Sequence, residues 1–132
     1  MVSVYTDGGA RGNPGPAAIG IIIVDEENKI LEEHKELLGV KTNNQAEYLA
    51  IIKALELALK YGSEIQCYSD SELMINQLLG RYAIKNEELK KLIQAVKEKE
   101  KMFKKVKYTH VKRNNLFIKQ VDKLVNNALD GR

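Results

Sequence analysis

The chain has 132 residues, a formal net charge of +3, one cysteine and no tryptophan. That length predicts a single domain over residues 1–132, able to bury roughly two-thirds of its unfolded surface without staples, and the lone Cys67 excludes an internal disulfide and suits a reducing compartment. No apolar run approaches the roughly 18 residues that span a bilayer, and Asp7 interrupts the N-terminus before a signal-peptide core can form, so the expectation is a cytoplasmic protein with no membrane association.

Residues 2–6 read as a strand, followed by a turn-rich stretch over 8–16 and by strands at 18–24 and 30–38, with two hairpin connections between them. The segment 45–61 has helical spacing, with Ala46, Ala50, Ala54, Leu57 and Ala58 on one side, Thr42 or Asn43 available as cap and Gly62 as stop. A short strand at 65–69 leads into a helix opened by the capping box from Ser69 to Glu72 and stopped at Gly80. A Lys/Glu-rich helix over about 87–103, a strand at 106–111 and a helix over about 115–129 complete the chain. The order β-β-β-α-β-α-α-β-α predicts an α/β fold: one mixed sheet of five strands, helices on both faces, and Asp7 and Asp70 on adjacent parallel strands.

Four carboxylates stand where a folded chain avoids charge. Asp7 and Asp70 close apolar strands, and the ends of such strands in open α/β sheets are where ligands bind. Glu47 and Asp122 sit on helices whose same-face neighbours are apolar: Ala50, Ile51 and Ala54 for the first, Ile118, Val125 and Leu129 for the second. Each has an ordinary reading as a cap, a turn residue or an ion-pair partner, but inward-facing acids must be paired, protonated or bound to a cation. A metal site is the economical explanation of all four together. The donors are oxygens, which a hard cation such as Mg²⁺ prefers, while His34 and His110 form no set with Cys67 that would favour a soft metal or a covalent nucleophile.

The charge is unevenly divided. Residues 1–84 carry 7 Lys+Arg against 12 Asp+Glu, and residues 85–123 carry 13 against 5. A basic run such as Lys97, Lys99, Lys101, Lys104, Lys105 and Lys107 is often only a solvated helix face, but beside a carboxylate cluster it suits a phosphodiester substrate, which needs counter-charge for its backbone and a cation for the chemistry.

These residues carry a resemblance. Thr6-Asp7-Gly8-Gly9 with Gly12-Asn13-Pro14-Gly15-Pro16, then Thr42-Asn43-Asn44-Gln45-Ala46-Glu47, Ser69-Asp70-Ser71 and Val121-Asp122-Lys123-Leu124 resemble, in order and over nearly the whole chain, the motifs of type 1 ribonucleases H. The resemblance implies a ribonuclease-H-like fold and an endonuclease that hydrolyses the RNA strand of an RNA/DNA hybrid with two Mg²⁺ ions, Mn²⁺ being possible, leaving 5′-phosphate and 3′-hydroxyl ends. It implies no obligate protein partner. By the same resemblance Asp7 bridges both ions, Glu47 and Asp70 hold the leaving-group side, and Asp122 holds the ion that positions the water. Asn13, Asn43 and Asn44, with Gly8 and Gly9 allowing close backbone approach, match positions that read the 2′-hydroxyl, and Thr42 matches one that holds a DNA-strand phosphate.

The chain departs from the family in three ways. Residues 111–121 contain no histidine where many members carry one, leaving Arg113 as the candidate for contact with the scissile phosphate; only residues 80–86 stand where many bacterial members insert a basic protrusion; and no hybrid-binding domain precedes Asp7. Two rival readings are a catalytically silent nucleic-acid-binding module and another nuclease of the ribonuclease-H-like superfold. A missing acid would mark the first, and none is missing.

Overall fold

A computed structural model describes residues 1–132. Three antiparallel strands, β1 (Val2–Ala10), β2 (Gly15–Val24) and β3 (Ile30–Lys41), are followed by α1 (Asn43–Ala58), β4 (Glu64–Ser69), α2 (Glu72–Leu78), α3 (Glu87–Glu100), β5 (Lys105–His110) and α4 (Leu116–Leu129). One mixed sheet results, in the order β3-β2-β1-β4-β5, with β4 and β5 parallel to β1.

Packing on both faces explains the composition of β2. Ala17 to Val24 are all buried, so this strand is continuously apolar instead of alternating. Ile19, Ile21 and Ile23 join Val4, Ile65 and Cys67 beneath α1 and α3, whereas Ala18, Ile22 and Val24 turn to α4. On that second face Tyr5 stacks on Tyr68 with ring centroids 4.8 Å apart and meets Phe117 of α4 at 4.9 Å. Both sheet edges are polar, which discourages pairing with another chain: β3 carries Glu32, Glu33, His34, Lys35 and Glu36, and β5 carries Lys105 and Lys107.

Several boundaries differ from expectation. β1 continues through Gly8, Gly9 and Ala10, which pair with Ile19, Ala18 and Ala17, so Asp7 lies within the strand and the turn shrinks to residues 11–14. Thr42, not Asn43, caps α1, in a reciprocal capping box with Gln45. The helix α2 starts two positions later than the expected box implies: Ser71 is its cap and accepts from Met74 N, while Ser69 Oγ accepts from Ser71 N. Asp70 is thereby left outside the helix. The helix α3 is three residues shorter than expected, and residues 79–86 link α2 to α3 directly.

Candidate active site

β1 and β4 pair in parallel up to Tyr5↔Tyr68 and then part, and Asp7 and Asp70 each follow the last pair by two residues. Both carboxylates therefore emerge at one place, the carboxyl edge of the parallel strands. From α1, Glu47 reaches the same point, and one ligand atom each from Asp7, Glu47 and Asp70 lie within 4.8 Å of one another. The three floor a cleft of about 500 Å³ that is also lined by Asn43, Asn44, Arg113, Asp122 and Asn126.

Two glycines set the depth of the helices. A Cβ at Gly8 would fall 2.4 Å from the Ala46 carbonyl carbon and oxygen and 2.7 Å from Glu47 N, so only glycine lets α1 lie close enough to deliver Glu47 beside Asp7. Gly8 therefore serves a close approach within the protein itself, between β1 and α1. Gly20, which pairs with Asp7 across β1 and β2, does the same for α4: a Cβ there would lie 2.6 Å from the Val121 carbonyl oxygen. Sequence reading missed Gly20, because a glycine within an apolar strand carries no sign of the helix above it.

Asp122 corrects an expectation. The buried stripe of α4 is Ile118, Val121, Val125 and Ala128, and Asp122 lies beside that stripe, exposed, at the rim of the cleft and outside the tight group of three acids. Its charge still acts on Asp7, whose carboxyl it helps to push upward.

The charges interact strongly. Burial, then repulsion from Asp70 and Asp122, pushes the Asp7 carboxyl up to about 7. Burial, then repulsion from Asp7 and Asp70, raises Glu47 well above the usual carboxylate range, with the Gly8 N–H opposing the shift. Glu47 Oε2 is buried without a hydrogen-bond partner. An orphaned carboxylate oxygen facing two further acids is what a cation would satisfy, and an all-oxygen donor set suits a hard divalent ion.

The neutral candidates divide between structural and cleft-facing roles. Asn43 Oδ1 accepts from Ala10 N at 2.8 Å and Asn13 Oδ1 accepts from Asn43 N at 3.0 Å, a reciprocal stitch between the first turn and the start of α1. Their amide NH₂ ends take no part in that stitch. Asn44 lines both the main cleft and a neighbouring one of about 210 Å³ that it shares with Asn13, Thr42 and Asn86. Asn86 was not anticipated; as the side-chain cap of α3, its position before a Lys/Glu-rich helix was the available signal. Gly9 lines the main cleft and has room for a Cβ, whose nearest neighbour is Val125 Cγ1 at 3.8 Å.

Arg113 extends over the acids. Its Nε lies 3.4 Å from Asp70 Oδ2 while the side chain is 93% exposed, so the guanidinium has donors to spare on the cleft side. The basic run is less free than its composition implies. Lys90, Lys97, Lys99 and Lys101 pair with Glu87, Glu100, Glu56 and Glu98, whereas Lys104, Lys105 and Lys107 stand outside those pairs.

Comparison with known proteins agrees with this geometry. Residues 5–128 match the family described as reverse transcriptase-like. The ribonuclease HI of Halobacterium salinarum is 39% identical over 130 residues, covering 98% of this chain and 64% of the relative. The bifunctional protein Rv2228c of Mycobacterium tuberculosis is 36% identical over 132 residues, covering 98% of this chain and 35% of the relative, so the chain spans about a third of the mycobacterial protein. Among solved structures, ribonuclease H1 of Halobacterium salinarum superposes with a TM-score of 0.93 at 37% identity, over 99% of this chain and 98% of that one. LC11-RNase H1 in complex with an RNA/DNA hybrid gives the same score and identity over the same shares.

Proposed function

Because this chain belongs to the reverse transcriptase-like family, and with it to the ribonucleases H whose fold it shares from end to end, we propose that it is an endonuclease that hydrolyses the RNA strand of RNA/DNA hybrids and leaves 5′-phosphate and 3′-hydroxyl ends. The carrying observation is the trio Asp7, Glu47 and Asp70, with its buried, unpartnered Glu47 oxygen. Two divalent ions, Mg²⁺ by preference with Mn²⁺ as substitute, supply activation of water and stabilisation of the leaving oxygen when bound. Asp7, whose carboxyl feels the charges of Asp70 and Asp122, would contribute to both ions, Glu47 and Asp70 would hold the leaving-group side, and Asp122, at the rim, would hold the side from which water enters.

Substrate contacts follow from the cleft walls. The amide NH₂ groups of Asn13 and Asn43, the side chain of Asn44, and the backbone at Gly8 and Gly9 read the 2′-hydroxyl, and Thr42 with Asn86 takes a DNA-strand phosphate in the smaller cleft. We place the protein in the cytoplasm, free of any obligate protein partner and acting as one domain; no helix is long and apolar enough to cross a membrane. The test is incubation with end-labelled RNA/DNA hybrid, duplex RNA and duplex DNA, with Mg²⁺, Mn²⁺ or chelator. Cleavage confined to the RNA of the hybrid and stopped by chelator is expected, and a folded protein that leaves the hybrid intact with either metal refutes the proposal.

Arg113 stands in for the missing loop histidine by contacting the scissile phosphate. Arg113→Ala should lower turnover by about one to two orders of magnitude, at or below the cost of losing one oriented charge-stabilising donor. Arg113→Lys should recover part of that loss because the bidentate fork is gone. Unchanged single-turnover rates at saturating metal would reduce Arg113 to a surface partner of Asp70.

Hybrid affinity should fall steeply with salt. Lys104 and Lys105, outside the internal ion pairs, are the lysines to replace: losing one phosphate contact reduces the slope of log affinity against log salt by about 0.9, whereas alanine at Lys101, already held by Glu98, should leave it unchanged. Equal slopes in all three variants would mean that these lysines serve only solvation.

A further inference from the structure

Asp122 is the one acid of the four that solvent reaches freely, on the surface of α4. An aspartate in that setting samples several rotamers, yet here its carboxylate is held. One turn on, Asn126 Nδ2 donates to the Asp122 main-chain oxygen at 3.1 Å and to its Oδ2 at 3.4 Å. A side-chain amide has a donor end and an acceptor end, and the reverse orientation would turn an oxygen lone pair on the carboxylate.

Arg11 selects the orientation. From the turn between β1 and β2 its Nη2 donates to Asn126 Oδ1 at 3.5 Å, so the amide nitrogen must face Asp122. The guanidinium is itself fixed by Asp130, whose Oδ1 lies 2.6 Å from Nη1 at the C-terminal end of α4. Arg11, Asn126 and Asp122 line the same cleft wall.

We propose that Arg11 and Asn126 are positioning residues for Asp122, a relay running Asp130–Arg11–Asn126–Asp122 that sets the carboxylate for cation binding. The proposal rests on the reading that Asp122 serves a divalent ion. It deepens that reading by assigning work to two residues that need not touch the substrate. Only arginine fits the first place, because two donors of a rigid fork must reach two acceptors at once.

The test uses the intact protein in four forms: wild type, Asn126→Ala, Arg11→Ala and Arg11→Lys. Mn²⁺ is titrated while the thermal midpoint is followed, and in parallel the metal dependence and KM of hybrid cleavage are measured. Residues that orient a metal ligand typically account for about tenfold in metal affinity. Asn126→Ala should therefore move both metal midpoints upward by about that factor, with Arg11→Ala somewhat less affected, Arg11→Lys between it and wild type, and KM for hybrid at saturating metal unchanged. A raised KM with an unmoved metal midpoint would overturn the proposal in favour of direct substrate contact. A lowered thermal midpoint with an unmoved metal midpoint would overturn it in favour of a purely structural tie. Should wild type bind Mn²⁺ and leave hybrid uncut while the variants shift the midpoint, the relay stands and the hydrolytic reading falls.

Discussion

Asp7→Asn is expected to abolish hydrolysis, by about a thousandfold or more, and to make the metal-free protein more stable above neutral pH. Both effects have one origin. In the unfolded chain the Asp7 carboxyl loses its proton near pH 4, but in the folded protein burial and repulsion from Asp70 and Asp122 push it up to about 7. Between those values the folded state holds a proton that the unfolded state has released, so this group's contribution to stability falls as pH rises from about 4 to about 7 and stays lost above. At about 1.4 kcal/mol per pH unit the effect is on the order of a few kcal/mol, or several degrees in thermal midpoint.

The wild-type minus Asp7→Asn difference isolates this contribution from Glu32 and Asp130, whose carboxyls are held low by Lys60 and Arg11. Thermal midpoints in chelator at pH 5 and pH 8 should diverge between the two proteins at the higher pH and approach each other at the lower. Divalent metal should then restore wild type preferentially, because a ligand that binds only the folded state stabilises it. A mutant that cleaves hybrid near the normal rate, or midpoints that stay parallel across pH, would remove Asp7 from the centre of the site.

Gly8→Ala should cost both stability and activity. The added Cβ would meet the Ala46 carbonyl at 2.4 Å and Glu47 N at 2.7 Å, backbone atoms that a rotamer change cannot clear. The helix α1 must lift away from β1, at about 1–3 kcal/mol of overpacking strain. Glu47 travels with it, and a displacement of about 1 Å at a reacting centre costs on the order of a hundredfold in rate. Gly9→Ala is the control, since its Cβ would find only Val125 Cγ1, at an ordinary 3.8 Å. The control should keep its thermal midpoint, so that any loss of activity there reports crowding in the cleft. A Gly8→Ala protein with native midpoint and native turnover would show that α1 has slack the packing does not suggest.

The amino-acid sequence by itself determined the element order, the mixed sheet and the acids. Those features are written in short-range patterns: apolar alternation, helical spacing from Ala46 to Ala58, caps such as Thr42, and charges set against apolar neighbours. Tertiary structure decided what depends on partners far along the chain. Gly8 to Ala10 look like a turn until β2 supplies their hydrogen bonds. Asp122 sits on an apolar-looking face, but packing of α4 over Gly20 turns Val121 and Val125 to the core and leaves the acid at the rim. Three lysines of the basic run, Lys97, Lys99 and Lys101, prove to be paired with glutamates. The pairing of Arg11 with Asp130 joins residues 119 positions apart. Local propensity is a sum over neighbours in sequence and can be read there, whereas a carboxylate's charge state, a glycine's necessity and a lysine's freedom depend on the atoms that folding brings against them.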